Sequence, residues 1–323
     1  MMRFIAGRIV YGVFTLWFLA TATFFAMHAV PGDPLASEKA VSPEIRRNLE
    51  VRYGLDKPLM TQYGIFLGNM IKGDFGISYT QKNRSVNDII REHFPISAQL
   101  GVLALLWATI GGIVFGAVTA YYRNRWPDYV SVVAVIICIS VPGFVFAALA
   151  QLAIIALNEA VGSDWLPVAG WETGSFRHML VPSLVLGLGT LAYLTRLMRS
   201  SMLEIMEADF VRTAHAKGLG TQRVFWQHQL RNAILPVVTV LGPAIAGITT
   251  GGFVVEQVFA IPGLGRYFVQ AVQQLDYTVI MGTTVFYGAF LIFLVMMVDI
   301  LYGVIDPRIR LAPERLRHQG GPI

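Results

Sequence analysis

Apolar residues in this chain of 323 come in long unbroken blocks, with polar residues confined to the segments between them. A helix crosses the hydrocarbon core of a bilayer with about 20 mainly apolar residues. Six blocks reach that length, at roughly 9 to 30, 97 to 122, 129 to 157, 179 to 198, 233 to 256 and 280 to 305. The pattern predicts an all-α, polytopic membrane protein with six transmembrane helices. The first block has more apolar residues than the 7 to 15 of a signal-peptide core and no evident cleavage site, so a retained anchor is expected. Pro142-Gly143, Pro182, Gly187, Gly189, Pro236, Pro243 and Gly251-Gly252 punctuate the blocks. Such residues permit kinks and close helix packing, and they occur in membrane helices of every function.

The polar segments carry shorter elements. Residues 31 to 96 mix nine basic with eight acidic side chains, the balance of a small folded subdomain and not of a polybasic arm. Ser42-Pro43-Glu44 offers an N-cap followed by proline at the first helical position, Ile45 and Leu49 share a face, and Gly54 supplies a stop. A second helix is expected over Leu59 to Met70. After the turn in "KGDFG", Ser85 can cap a third piece whose Val86, Ile89, Ile90 and Phe94 form an apolar stripe suited to the membrane interface. This subdomain either packs on its own spans or receives a partner.

Composition agrees with the pattern: 55% of residues are hydrophobic and 14% charged, with a mean hydropathy of +0.58, against about 25% charged in soluble domains. The formal charge of +5 then reflects basic cytoplasmic ends and no nucleic-acid surface. Basic residues gather at Arg3 and Arg8, at Arg123 and Arg125, and in the tail at Arg308, Arg310, Arg315 and Arg317. More lie from the end of the fourth block to the fifth, at Arg196, Arg199, Arg212, Lys217, Arg223 and Arg231, whereas the alternate short loops hold only Arg177 and Arg266. Both termini and residues 199 to 232 are therefore expected in the cytoplasm, with 31 to 96 and 258 to 278 outside. Cys138 is the only cysteine, so no intrachain disulfide forms and the redox compartment is not readable from it.

Catalytic chemistry is nearly absent. Ionisable groups inside membrane helices persist for function, and the interiors of the blocks are almost bare: His28, Glu256 and Asp299 each lie near an end, where capping, snorkelling or pairing at an interface is expected. There is no HExxH, no GxSxG and no histidine beside the cysteine. The triplets "GLG" at 187, 218 and 263 never extend to GxGxxG, and the dipeptide Gly-Lys never occurs, which excludes a Walker A loop. No catalytic residue, cofactor or metal site is expected. If ATP drives this protein, another chain binds it.

The segment "SMLEIMEADFVRTAHAKGLGTQRVFWQHQLRN", Ser201 to Asn232, has helix formers on both sides of Gly218-Leu219-Gly220. It predicts a helix, a glycine corner and a second helix, with Ile205, Phe210 or Val211, and Ala214 on one apolar face and Val224, Phe225 and His228 on the other. Small Ala214 and Ala216 beside Gly218 leave the backbone of the corner open to a partner's groove. An ordinary amphipathic hairpin on the inner membrane surface is the alternative.

This segment resembles the cytoplasmic coupling loop of permease subunits in ATP-binding-cassette importers of the oligopeptide, dipeptide and nickel type. The motifs "AVPGDPL", "YGLDKPLMTQY", "KGDFGISY", "DFVRTAHAKGL", "HQLRNAILPVVTVLG", "GGFVVEQVFAIPGLG" and "DPRIR" carry the resemblance over nearly the whole chain. Against the general importer pattern EAA-x3-G-x9-IxLP, only Ala214, Gly218 and Leu230 match, and Glu207-Ala208 lies out of register. The subfamily's own "RTARAKGL" fits better, with His215 in place of its common arginine, and no EAA salt bridge carries over.

The resemblance implies a type I importer permease: 1–30 as cytoplasmic N-terminus and first span, 31–96 as the outer subdomain, 97–305 as permease core with coupling loop 199–232, and 306–323 as cytoplasmic tail. It implies half of a pathway completed by a second, non-identical permease subunit, with two ATPase subunits, an extracytoplasmic binding protein and membrane lipid as partners. The cargo is a peptide, or alternatively a nickel complex or other small solute. Arg212, Thr213, Ala214, His215, Ala216, Lys217, Gly218 and Leu219 are then the expected ATPase-docking residues. "EQVFAIPGLGRYF" is expected either as an outer cap on the pathway, through Glu256, Phe259, Pro262 and Gly263, or as plain packing. Rival readings are an ion-coupled transporter, an intramembrane enzyme and a non-transporting assembly or sensory subunit, which differ in needing no ATPase, turning over alone, or binding partners without flux.

Overall fold

The computed structural model describes residues 2–31, 43–81, 83–250 and 252–305. The expected cap at Ser42, most of "AVPGDPL", Gly251 and the basic tail with "DPRIR" lie outside the described residues, as do the side chains of Arg3, Ile45 and Asp299. Regular structure among them is helical, apart from one isolated bridge between Ile77 and Ser85.

One compact unit comprises Met1–Asp88 with Ala271–Ile323. In it α1 (Met2–Ala29) runs beside α14 (Tyr277–Ile305), with Gly12 facing Ile292 and Gly288 facing Leu19 so closely that neither glycine has room for a Cβ. The short helix α2 (Pro43–Tyr53) stops at Gly54, whose φ is +70°, as the sequence predicts. Phe24, Tyr277 and Met281 form the core of the unit, joined by Tyr63 and Phe66 of α3 (Leu59–Ile71) and by Tyr79. Asp276 caps α14 by accepting the Val279 N–H at 3.3 Å, and it also accepts the Ser78 hydroxyl, the Thr80 hydroxyl at 2.9 Å and the N–H groups of Tyr79 and Thr80 at 3.2 Å. One buried carboxylate thus pins the "KGDFGISY" segment to the start of a span. His28 pairs locally, its Nδ1 2.8 Å from the Phe24 carbonyl and its ring 4.1 Å from the Phe24 ring.

The second unit is Ile89–Gln270. Its first helix, α4 (Val86–Tyr121), corrects the sequence reading: the expected interfacial piece after Ser85 and the expected second span are one helix of 36 residues. Pro95 lies inside it without ending it, because a lost backbone bond is tolerated where surrounding protein satisfies the freed group. Val86, Ile89 and Ile90 are buried, so that stripe faces protein and not a membrane interface.

The expected third span is broken at Val141-Pro142 into α5 (Trp126–Ser140) and α6 (Gly143–Val161), which pack one after the other along α7 (Phe176–Met206). Proline disfavours helical backbone in the residue before it, and Val141 is extended, with ψ of 127°. The expected fifth span is the 16-residue α11 (Leu235–Thr250), and Glu256 sits beyond it in a separate short helix, α12 (Phe253–Val258). Helices α1, α4, α6, α7 and α14 are long and apolar enough to cross a membrane. With α11 as the shorter fifth pass and α5 as an extension of the third, the order of six passes stands.

Helices α4 and α7 meet at backbone distance. A Cβ on Gly116 would lie 2.5 Å from the Met198 Cβ and 2.8 Å from the Thr195 carbonyl oxygen. One on Gly187 would lie 2.6 Å from the Trp107 ring and 2.8 Å from the Ala104 carbonyl oxygen. Small residues substitute for the hydrophobic drive that lipid does not supply between membrane helices.

Candidate functional site

Two assemblies in the second unit hold the residues singled out from the sequence. The first joins α7 to α11. Helix α7 ends at Met206, extended Ala208 turns the chain, and α8 (Asp209–Ala216) starts with an acidic residue in its first turn, where the helix dipole favours one. At its far end the Gly218 N–H bonds the His215 carbonyl at 2.9 Å and the Leu219 N–H bonds the Ala214 carbonyl at 3.3 Å. With Gly218 at φ +78°, this is the paired closure of a Schellman cap.

Gly220 then starts α9 (Thr221–Val224), and a π-helix over Phe225–Leu230 leads through α10 (Arg231–Ala233) into α11. Val211, Ala214 and Val224 form a small core of their own with Ile205 and Leu219 around them. Val211, and not Phe210, is the inward residue that the sequence pattern left open. Of the eight expected docking residues, Ala214 and Leu219 therefore turn into the hairpin, where they close the cap. Arg212, Thr213, His215, Ala216, Lys217 and Gly218 form a continuous exposed surface. Among the described residues, nothing beyond its chain neighbours lies within 4 Å of where a Cβ on Gly218 would stand, so the knuckle is open there. Among the described residues Arg212 has a single long ion pair, with Asp209 at 3.8 Å, and both side chains are solvent-facing.

The second assembly surrounds the start of α13 (Leu264–Gln274). The carboxylate of Glu256 accepts the Arg266 N–H at 3.0 Å, and Ser97 Oγ accepts the Leu264 N–H at 2.9 Å. Two side chains from other helices thus satisfy donors that a helix N-terminus leaves open. Gly252, Gly263 and Gly265 crowd round the carboxylate; a Cβ on Gly263 would come within 2.5 Å of Glu256 Cδ and 2.6 Å of Ser97 Oγ. Glu256 is buried, as is Phe259, which packs with Ile261, Leu100 and Ile154.

The Pro262 carbonyl lies 2.7 Å from Nδ1 of His93, whose ring stacks on Tyr267 at 4.0 Å. The structure therefore brings Glu256, Phe259, Pro262 and Gly263 together beside the start of α13, with Glu256, Phe259 and Gly263 buried and Pro262 half-buried. Sequence reading missed Ser97 and His93, and held Gly265 and Arg266 only within the stretch "EQVFAIPGLGRYF". The spacing from Glu256 to "GLG" carried a signal for a capped helix start, whereas the contributions from α4 arrive from far away in the sequence.

The chain is thus many-pass and helical, with an exposed, Schellman-capped hairpin between α7 and α11. The chain belongs to the binding-protein-dependent transport system inner membrane component family: the model of that family matches residues 112–311, and the model of its N-terminal region matches residues 1–101. It is thus a multi-pass inner-membrane permease component. It is 43% identical to the dipeptide transport system permease protein DppB of Bacillus subtilis, over 92% of this chain and 94% of that one. It is 41% identical to the oligopeptide transport system permease protein OppB of Haemophilus influenzae and 38% identical to that of Escherichia coli K12, in each case over 96% of this chain and 100% of the other. Among solved structures, an amino acid ABC transporter with histidines matches 69% of this chain and 94% of its own at 15% identity and a TM-score of 0.47.

Proposed function

We propose that this chain is one of two permease subunits in an ATP-driven, binding-protein-dependent importer of di- or oligopeptides. The observation that carries the coupling part of this reading is the open, Schellman-capped knuckle at Gly218, which presents six residues and leaves its own contacts to Val211, Ala214 and Val224. The peptide cargo rests on the relatives' names.

In this reading ATPase subunits seat against Arg212, Thr213, His215, Ala216, Lys217 and Gly218 on the cytoplasmic side. Helix α8 is braced against Ile205 of α7 and Val224 of α9, so displacement of the knuckle passes to both neighbouring spans. ATP must favour one ATPase arrangement and the hairpin must transmit that preference, because coupling is a difference in affinity between two states. At the opposite face the Glu256-capped start of α13 serves as a rigid cap on the pathway, positioned by Phe259, Pro262 and Gly263. A second permease, non-identical to this one, completes the pathway, and a binding protein delivers the cargo.

The test is uptake of radiolabelled di- and oligopeptides into proteoliposomes holding the whole importer. Uptake should require ATP inside, binding protein outside and this chain. Uptake that survives without the ATPase subunits and follows an ion gradient would overturn the proposal.

A further inference from the structure

We propose that the cleft between α5 and α7 binds the phosphate group of an anionic membrane phospholipid through Arg196. The cleft, of about 510 Å³, carries Arg196, Arg199, Ser131 and Ser200 together with apolar Val135 and Ile139. Arg199 is neutralised, its guanidinium held fork to fork by Asp128 at 2.7 and 2.8 Å. Arg196 stands one helical turn earlier on α7, is exposed, and has no hydrogen-bond or ion-pair partner among the described residues. The hydroxyls of Ser131 and Ser200 likewise have none.

A cation in the last turn of an apolar block needs a counter-charge, because hydrocarbon supplies none. Asp128 is the one acidic residue on α5 and is already engaged. The cleft therefore keeps one uncompensated positive charge beside two free hydroxyl donors, with Val135 and the 56% exposed Ile139 running away from them along α5. One negative head with several acceptor oxygens, followed by an acyl chain, matches that order of chemistry. A peptide would meet an apolar wall along most of the cleft.

The experiment uses the whole importer purified from membranes and exchanged into nanodiscs of phosphatidylglycerol and phosphatidylcholine, with retained lipid quantified by native mass spectrometry after release. Arg196→Gln should lower retained phosphatidylglycerol relative to phosphatidylcholine by roughly fivefold, while Arg223→Gln leaves the ratio unchanged. Ile139→Trp, which fills the apolar part and keeps Arg196, should displace the same lipid. A benzophenone side chain at position 135 should capture phospholipid on irradiation. Unchanged lipid ratios in both Arg196→Gln and Ile139→Trp would overturn the proposal. So would capture of a second permease subunit or of labelled cargo peptide in place of lipid, since either would give the cleft a different occupant.

Discussion

Asp128 and Arg199 meet fork to fork between α5 and α7, with Nε 2.7 Å from Oδ1 and Nη2 2.8 Å from Oδ2. Asp128 is buried and also accepts the Asn124 N–H at 3.0 Å, whereas the Arg199 side chain keeps 29% of its exposure. The pair fixes the start of the broken third pass to the fourth. Asp128→Asn should destabilise the purified complex by about 2 kcal/mol, less than the 3–5 kcal/mol of a fully buried pair because water still reaches Arg199. Thermal midpoints of Asp128→Asn, Arg199→Gln and the double variant decide the matter. The double should lose clearly less than the two singles together; simple additivity would show that the two side chains stabilise nothing jointly.

Glycines on α4 and α7 should separate by contact and not by sequence neighbourhood. Gly116 has no room for a methyl group between Met198 and Thr195, whereas Gly189 has, outside its own helix backbone, nothing among the described residues within 4 Å of its Cβ position. Gly116→Ala must push the helices apart and should cost about 1–3 kcal/mol. Gly189→Ala meets no obstacle and should be neutral or stabilising, since alanine is the better helix former. Folded yield and thermal midpoint of the two variants are the measurement. Equal loss in both would mean that the close approach of α4 and α7 is not what the glycines serve.

Sidedness follows from the Lys and Arg asymmetry. In a variant lacking Cys138, cysteines at Asn83 and at Gln222 should react with an impermeant maleimide from opposite faces of sealed vesicles. Asn83 should react from outside and Gln222 from the cytoplasmic face. Reaction of both from the same side would reverse the assignment of the knuckle to the ATPase side.

Much of this architecture was legible because lipid imposes a blunt rule: apolar blocks of sufficient length become helices, and α1, α7 and α14 fall where their blocks do. Less legible was where helices break. Pro142 breaks one and Pro95 does not, and the difference lies in what surrounds each backbone, which one-dimensional patterning does not contain. The Gly218 corner was readable because its capping bonds are local, to His215 and Ala214. The cap on α13 was readable only by half: Glu256 lies ten residues from Arg266, but Ser97 comes from α4, 167 residues before Leu264.

That cap yields its own test. Glu256→Ala removes the acceptor for the Arg266 N–H and leaves a hole beneath three glycines, and should cost about 1–3 kcal/mol through the unsatisfied donors. Glu256→Gln keeps an acceptor oxygen and should recover most of the stability. Gly263→Ala forces a methyl group into Glu256 and Ser97 and should be at least as damaging as Glu256→Ala. If the assembly also caps the pathway, binding-protein-stimulated ATP hydrolysis should fall in Glu256→Ala beyond what the lost folded fraction explains. Hydrolysis in strict proportion to folded protein would leave packing as the whole role of Glu256.

At Gly218 backbone strain and contact with a partner are separable. The φ of +78° suits glycine and is tolerated by asparagine, whereas a β-branched side chain pays about 1–2 kcal/mol there. Among the described residues the Cβ direction is open, so Gly218→Asn should leave insertion and thermal midpoint near those of the unaltered protein. Any defect must then arise in the space outside the chain. With an ATPase groove closed over the knuckle, the added side chain should overpack it and weaken docking by about 1.4 kcal/mol, or tenfold. Gly218→Val should add strain to the same obstruction and lose more. Lys217→Ala should cost under about 1 kcal/mol, as an exposed charge at a rim usually does. ATPase copurification and substrate-stimulated hydrolysis in the reconstituted importer read all three. Wild-type assembly and coupled hydrolysis in Gly218→Asn would sink the docking assignment, because a side chain of that size at the tip of an occupied knuckle has nowhere to go.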